Sequence, residues 1–97
     1  MPAAGRIRLD KWLWHARAFR TRALAAETVA SGAVRVNGQR VVKPGHGVVP
    51  GDVLTFSQSG KVRVLRILEF GLRRGPAVEA QRLYADLDAA TPAEGAD

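Results

Sequence analysis

The hydrophobic period of the chain changes at Gly32. Before it, Leu9, Trp12, Leu13 and Ala16 fall at i, i+3, i+4 and i+7, the spacing of a helix with one buried side. After it, the period is two. Val34 and Val36 flank Arg35, Asn37-Gly38 supplies two residues that tolerate positive φ, and Val41-Val42 run back. A one-sided helical stretch feeding directly into a hairpin buries both apolar faces by laying helices on one side of a small sheet.

The local signals give an element order. A first helix is expected over about residues 8–18, with Asp10 suited to its first turn. A second is expected over about 21–31, where Thr21 can cap the start and Gly32 can end it. The few residues between them make the helices a close pair. Beyond the hairpin, Lys43-Pro44-Gly45-His46-Gly47 reads as a loop, Val48-Val49 as a brief extended stretch and Pro50-Gly51-Asp52 as a turn. Val53-Leu54-Thr55-Phe56 and residues 62–68 read as strands joined by a turn at Ser57-Gln58-Ser59-Gly60. Ala80, Leu83, Tyr84 and Leu87 return to helical spacing, so a third helix is expected over 77–87, opened by Pro76. The expected fold is α+β: two packed N-terminal helices on a small, mostly antiparallel twisted sheet, plus a C-terminal helix. Its divisions are a flexible arm over 1–7, a domain over 8–70, a loop and packed helix over 71–88, and a disordered acidic tail over 89–97.

Ninety-seven residues suffice for one domain. There is no cysteine, and hence no disulfide, thiolate metal site or cysteine nucleophile. No apolar run approaches the roughly 20 residues that span a bilayer, and no apolar signal core follows Met1, so a soluble protein of the cytoplasm is expected. Charge is unevenly placed. Residues 1–75 hold 14 Lys/Arg against 4 Asp/Glu, whereas residues 76–97 hold 1 against 5. Such a basic body attracts a polyanion, because neutralising phosphates releases counterions. The cations are 12 Arg and 3 Lys, and Arg both forks onto phosphate and stacks on bases.

On a helical wheel, Leu9, Trp12, Leu13, Ala16 and Phe19 share one side of the first helix, with Lys11, Trp14, Arg17 and Ala18 on the other. Trp12 is therefore expected in the core. Trp14 either stacks on a base between Lys11 and Arg17 or packs beneath a loop or the last helix. Arg17, Arg20 and Arg22 crowd the turn between the helices as a phosphate clamp, and Thr21 can cap or donate to phosphate. Arg35, Arg40 and Lys43 come from the hairpin and the loop behind it, with Arg35 pointing away from the Val34/Val36 side. His15 and His46, 31 residues apart, have no matching carboxylate or thiol cluster, so no metal site is expected. His15 reads as a solvent-side residue or a further polar contact to RNA. Asp10 and Asp52 read as a helix-start charge and a turn residue rather than a catalytic pair. There is no P-loop and no dinucleotide fingerprint, and no catalytic residue, cofactor or small-molecule substrate is expected.

Arg8-Leu9-Asp10-Lys11-Trp12-Leu13, Phe19-Arg20-Thr21-Arg22-Ala23, Gly32-Ala33-Val34-Arg35-Val36-Asn37-Gly38 and Pro50-Gly51-Asp52, in that order, resemble the RNA-binding domain first seen in ribosomal protein S-four, with its alpha-L motif. The resemblance covers about residues 8–56. Leu9-Asp10-Lys11-Trp12-Leu13-Trp14, taken with Arg73-Arg74, Pro76, Glu79-Ala80 and Leu83-Tyr84, is similar more narrowly to the family of ribosome-associated heat shock proteins of about fifteen kilodaltons. The resemblance implies a stress-response factor that binds ribosomal RNA on a large ribosomal subunit still carrying a nascent chain on tRNA, in rescue or recycling of such subunits. A monomer is expected by default, since the sequence gives no sign of oligomerisation. The contacts that the resemblance implies are Arg8, Lys11, Arg17, Arg20, Thr21, Arg22, Arg35 and Lys43, to which the residues themselves add Trp14 and Arg40. Longer members of that family are expected to continue with a basic extension, where this sequence turns acidic. Two other functions suit the same features: an RNA-guiding accessory of a modifying enzyme, and a DNA-binding module of two helices.

Overall fold

The computed structural model describes residues 5–87. A short strand β1 (Ile7–Arg8) leads into helices α1 (Leu9–His15) and α2 (Arg22–Ala30). Strands β2 (Val34–Val36), β3 (Gln39–Val41), β4 (Gly47–Val48), β5 (Val53–Gln58) and β6 (Lys61–Ile67) follow. The described chain ends with helix α3 (Ala77–Ala80), a 3-10 turn (Gln81–Leu83) and strand β7 (Tyr84–Asp86). Five strands form one antiparallel sheet in the order β3-β2-β5-β6-β7, while β1 and β4 pair separately. This is the α+β arrangement that the change of period implies.

The core lies between the helix pair and one face of the large sheet. Leu9, Trp12, Leu13, Ala25 and Val29 from the helices meet Val34, Leu54, Phe56, Leu65 and Ile67 from the strands. Alternation does the sorting: Val34 and Val36 are buried and Arg35 between them is exposed. Asn37 and Gly38, at φ 52° and 84°, close the β2–β3 turn with the two positive angles whose twist matches a right-handed hairpin.

The helix ends show why the elements stop where they do. Thr21 Oγ1 accepts from Leu24 N at 3.0 Å and caps α2. The first amides of α1 are satisfied by loop carbonyls: Leu9 N donates to His46 O at 2.9 Å and Asp10 N to Pro44 O at 3.1 Å. At its other end, Arg17 N donates to Trp14 O and Ala18 N to Leu13 O, with Arg17 in the left-handed conformation at φ 60°. That turn ends α1 at His15, short of the expected residue 18, and directs Ala18 into the core rather than to solvent. The Gln58 side-chain amide also donates to Ala18 O, fastening this corner to β5.

Three further expectations are corrected. The helix expected over 77–87 is one turn of α-helix and one of 3-10, after which Tyr84–Asp86 pairs with β6. The open edge of β6 offers backbone groups that a strand satisfies and a helix cannot. Ala80 and Leu83 still face the body as their spacing implies. The expected N-terminal arm is paired at its end, Ile7 opposite Val48. The strands β5 and β6 extend to Gln58 and from Lys61, so their turn is the two residues Ser59-Gly60. Residues 1–4 and the acidic tail read over 89–97 lie outside the described residues.

The two turns at one end of the sheet are tied together. Asp52 accepts from Asn37 Nδ2 at 3.0 Å and from Val49 N at 3.0 Å, while Asn37 Oδ1 accepts from Val53 N at 2.9 Å. Replacing Asp52 by Ala is expected to cost about 1–2 kcal/mol in urea-unfolding free energy, with an unchanged denaturant slope, because two donors lose a charged acceptor.

Candidate nucleic-acid interface

Asp10 organises the start of both helices. Its carboxylate is buried and accepts from Arg8 Nε and Nη2, each at 3.1 Å, and from Lys11 N at 2.8 Å. Arg22, the first residue of α2, brings its Nε to 3.6 Å from the same carboxylate. Arg8 is fixed from behind by the β1–β4 pairing, and its guanidinium lies against Gly45, where an added Cβ would sit 3.3 Å from Nη1. The loop that caps α1 therefore brings Lys43 to the same end of the molecule. Lys11, Arg20 and Thr21 are exposed.

The other expected residues go elsewhere. Arg17 does not join Arg22: its Nε donates to Gly75 O at 2.7 Å. Arg35 and Arg40 are cross-strand partners on the side of the hairpin away from the helices, and Arg35 Nη1 donates to Gly38 O at 3.3 Å. The Arg40 guanidinium covers Gly32, just beyond the last residue of α2. About 12 Å of helix thus separates the Arg8/Arg22 group from the Arg35/Arg40 group. Trp14 is half-buried, its ring 5.9 Å from that of His15.

His15 is not a solvent-side residue. It is 3% exposed, and its Nδ1 lies 3.1 Å from Phe70 O, a contact that needs the proton on Nδ1. With Trp12 Nε1 donating to Glu69 O at 2.8 Å and Arg17 to Gly75 O, one side of α1 grips the segment 69–75. The position of His15, three residues after Trp12 on the helix, was the available signal. The linking role of Asp10 was also missed, although Arg8-x-Asp10 places a cation and an acid two residues apart.

Among the described residues, no group of three or more His, Cys, Asp or Glu is placed to hold a metal ion, and no helix is long and apolar enough to cross a membrane. What this surface offers is guanidinium and ammonium donors on a rigid frame, suited to holding phosphate groups.

Comparison with known proteins agrees. The S4 domain family matches residues 7–54, the span from β1 into β5. A heat shock protein 15 homolog of Aeromonas salmonicida is 42% identical over 83 residues, covering 86% of this chain and 62% of the relative. Heat shock protein 15 of Escherichia coli strain K12 is 44% identical over 80 residues, covering 82% and 59%. The chain thus spans about three fifths of the length of these curated relatives. A solved structure, described as the trimeric structure of Vibrio cholerae heat shock protein 15, aligns with a TM-score of 0.83 at 39% identity, covering 94% of this chain and 92% of that one.

Fold and surface together define a protein built on the S4 RNA-binding domain. More particularly, the chain belongs to the heat shock protein 15 family.

The Asp10 carboxyl titrates below the usual carboxylate range. Burial pushes it up, but the hydrogen bond from Arg8, the charges of Arg22 and Arg8 and the Lys11 amide together outweigh that effect. A carboxylate whose pKa is depressed in the folded state contributes stability that is present above its unfolded value and is lost as the pH falls through its folded value. Unfolding free energy is therefore expected to decline below about pH 4, and Asp10→Asn is expected to reduce that acid dependence in denaturant titrations run across the range.

Proposed function

We propose that the chain is a non-catalytic RNA-binding protein of the cytoplasm. Its target is ribosomal RNA, on a large ribosomal subunit carrying a stalled nascent chain on tRNA, and its role is rescue or recycling after stress. The observation that carries this reading is the Arg8–Asp10–Arg22 group at the start of the helix pair, inside the S4 domain match. Lys11, Arg20, Thr21 and Lys43 extend it. Arg35 and Arg40 form a second point of contact at the hairpin, and Arg17 adds its charge from the end of α1. Trp14 offers the exposed part of its indole for stacking on an unpaired base.

We take a monomer as the binding unit. The Vibrio relative is trimeric, so analytical ultracentrifugation at the concentrations used for RNA binding belongs beside every titration.

Sedimentation of the protein with lysate through a sucrose gradient, followed by crosslinking, tests the reading. Comigration with free large subunits and crosslinks from α1 and α2 to rRNA or tRNA are expected. Recovery at the top of the gradient with an enzyme or on duplex DNA overturns the ribosomal role. Replacing Arg20 and Arg22 together with Ala is expected to flatten the salt dependence of RNA binding by roughly two phosphate contacts. Trp14→Ala is expected to cost about 1–3 kcal/mol of RNA affinity; a fall in Tm with affinity retained assigns that residue to packing instead.

A further inference from the structure

Two arginines from separate elements converge on one buried acid. Arg8 stands on β1 and Arg22 at the first position of α2, fourteen residues later. Arg8 Nη2 and Arg22 Nε both approach the same oxygen, Asp10 Oδ2, at 3.1 and 3.6 Å. The burial is one-sided. The Asp10 side chain is 5% exposed, whereas those of Arg8 and Arg22 are 55% and 42% exposed. The carboxylate therefore lies beneath the two guanidinium groups. It accepts from two of the five donors of Arg8, pairs with Arg22 by charge, and neutralises one of their two charges.

We propose that Asp10 is a positioning residue that joins Arg8 and Arg22 into a single phosphate-binding subsite. The ligand is one phosphate group of an RNA backbone, and in this the proposal rests on the RNA-binding reading. Two exposed arginines without a shared anchor each lose side-chain freedom when they close on a phosphate. Held by Asp10, they present fixed donors from two directions, and the cost of ordering is met on folding instead of on binding. Gly45 contributes by leaving space for the Arg8 guanidinium against the loop.

Simple charge counting and this arrangement predict opposite signs. Asp10→Asn removes a negative charge beside a polyanion, so charge alone tightens RNA binding. Loss of a shared anchor weakens it. We expect Asp10→Asn to weaken binding of a structured rRNA fragment by about three- to tenfold, and the same substitution to have little further effect in an Arg22→Lys background. Arg22→Lys keeps the charge at an exposed position, and so tests the pairing even if Asp10→Asn fails to fold.

A second measurement needs no RNA. Inorganic phosphate is titrated into the full chain at constant ionic strength while the arginine Nε–H signals are followed by NMR. Arg8 and Arg22 are expected to shift with one common midpoint in the wild type and to lose it in Asp10→Asn; in Arg22→Lys the Arg8 midpoint is expected to move to higher phosphate, and Arg63, paired with Asp86 on the sheet, stays put. Independent midpoints, no shift, or tighter RNA binding by Asp10→Asn overturns the subsite. A common midpoint in a chain that binds no RNA leaves the subsite standing and removes the RNA reading. RNA binding without a common midpoint does the reverse.

Discussion

The indole of Trp12 is where the parts of this molecule meet. It is fully buried, its N–H is satisfied by the carbonyl of Glu69, and its ring meets the ring of Tyr84 edge-on at 6.4 Å. The helix pair, the sheet and the C-terminal segment are therefore joined through one side chain. A large aromatic with a satisfied donor suits that place, because its ring fills the gap between layers and its polar atom fixes one orientation. His15, on the last turn of the same helix, and Arg17, in the turn just after it, extend the grip to Phe70 and Gly75. One side of α1 thus serves assembly. Its N-terminal end, where Asp10 gathers two arginines, remains available for a ligand.

Much of the fold was legible in the sequence because its signals are local. Leu9, Trp12, Leu13 and Ala16 mark a buried helical stripe, and Val34-Arg35-Val36 before Asn37-Gly38 marks a hairpin, without reference to distant residues. The third helix was misread for the opposite reason. Ala80, Leu83, Tyr84 and Leu87 do carry helical spacing, and Ala80 and Leu83 are buried. What decides the conformation of Tyr84–Asp86 is the edge of β6, which needs a partner and is separated from it along the chain. Over three residues, strand alternation and helical spacing cannot be told apart, and the tertiary demand wins.

For the site, residue type was legible and grouping was not. The sequence places Arg17, Arg20 and Arg22 close together, and a short turn makes them look like one cluster. The structure sends Arg17 to the C-terminal segment and Arg22 to Asp10, while Arg8 enters from a strand. Helical geometry explains part of this, since residues on either side of a sharp turn need not share a direction. The rest depends on the β1–β4 pairing, which fixes Arg8 and has no signature stronger than two residues on each side.

Arg17 sits where helices commonly end in glycine, at a left-handed φ of 60°. For an L-residue with a side chain, that conformation costs about 1 kcal/mol. A glycine would remove the cost but could not reach Gly75. The termination of the first helix and the attachment of the C-terminal segment are therefore one event. Whatever pulls residues 69–75 away leaves a strained arginine with nothing to hold, and so also loosens the corner from which the second helix starts. One side chain thus links the corner between the helices to the segment before α3, although more than fifty residues of sequence lie between them.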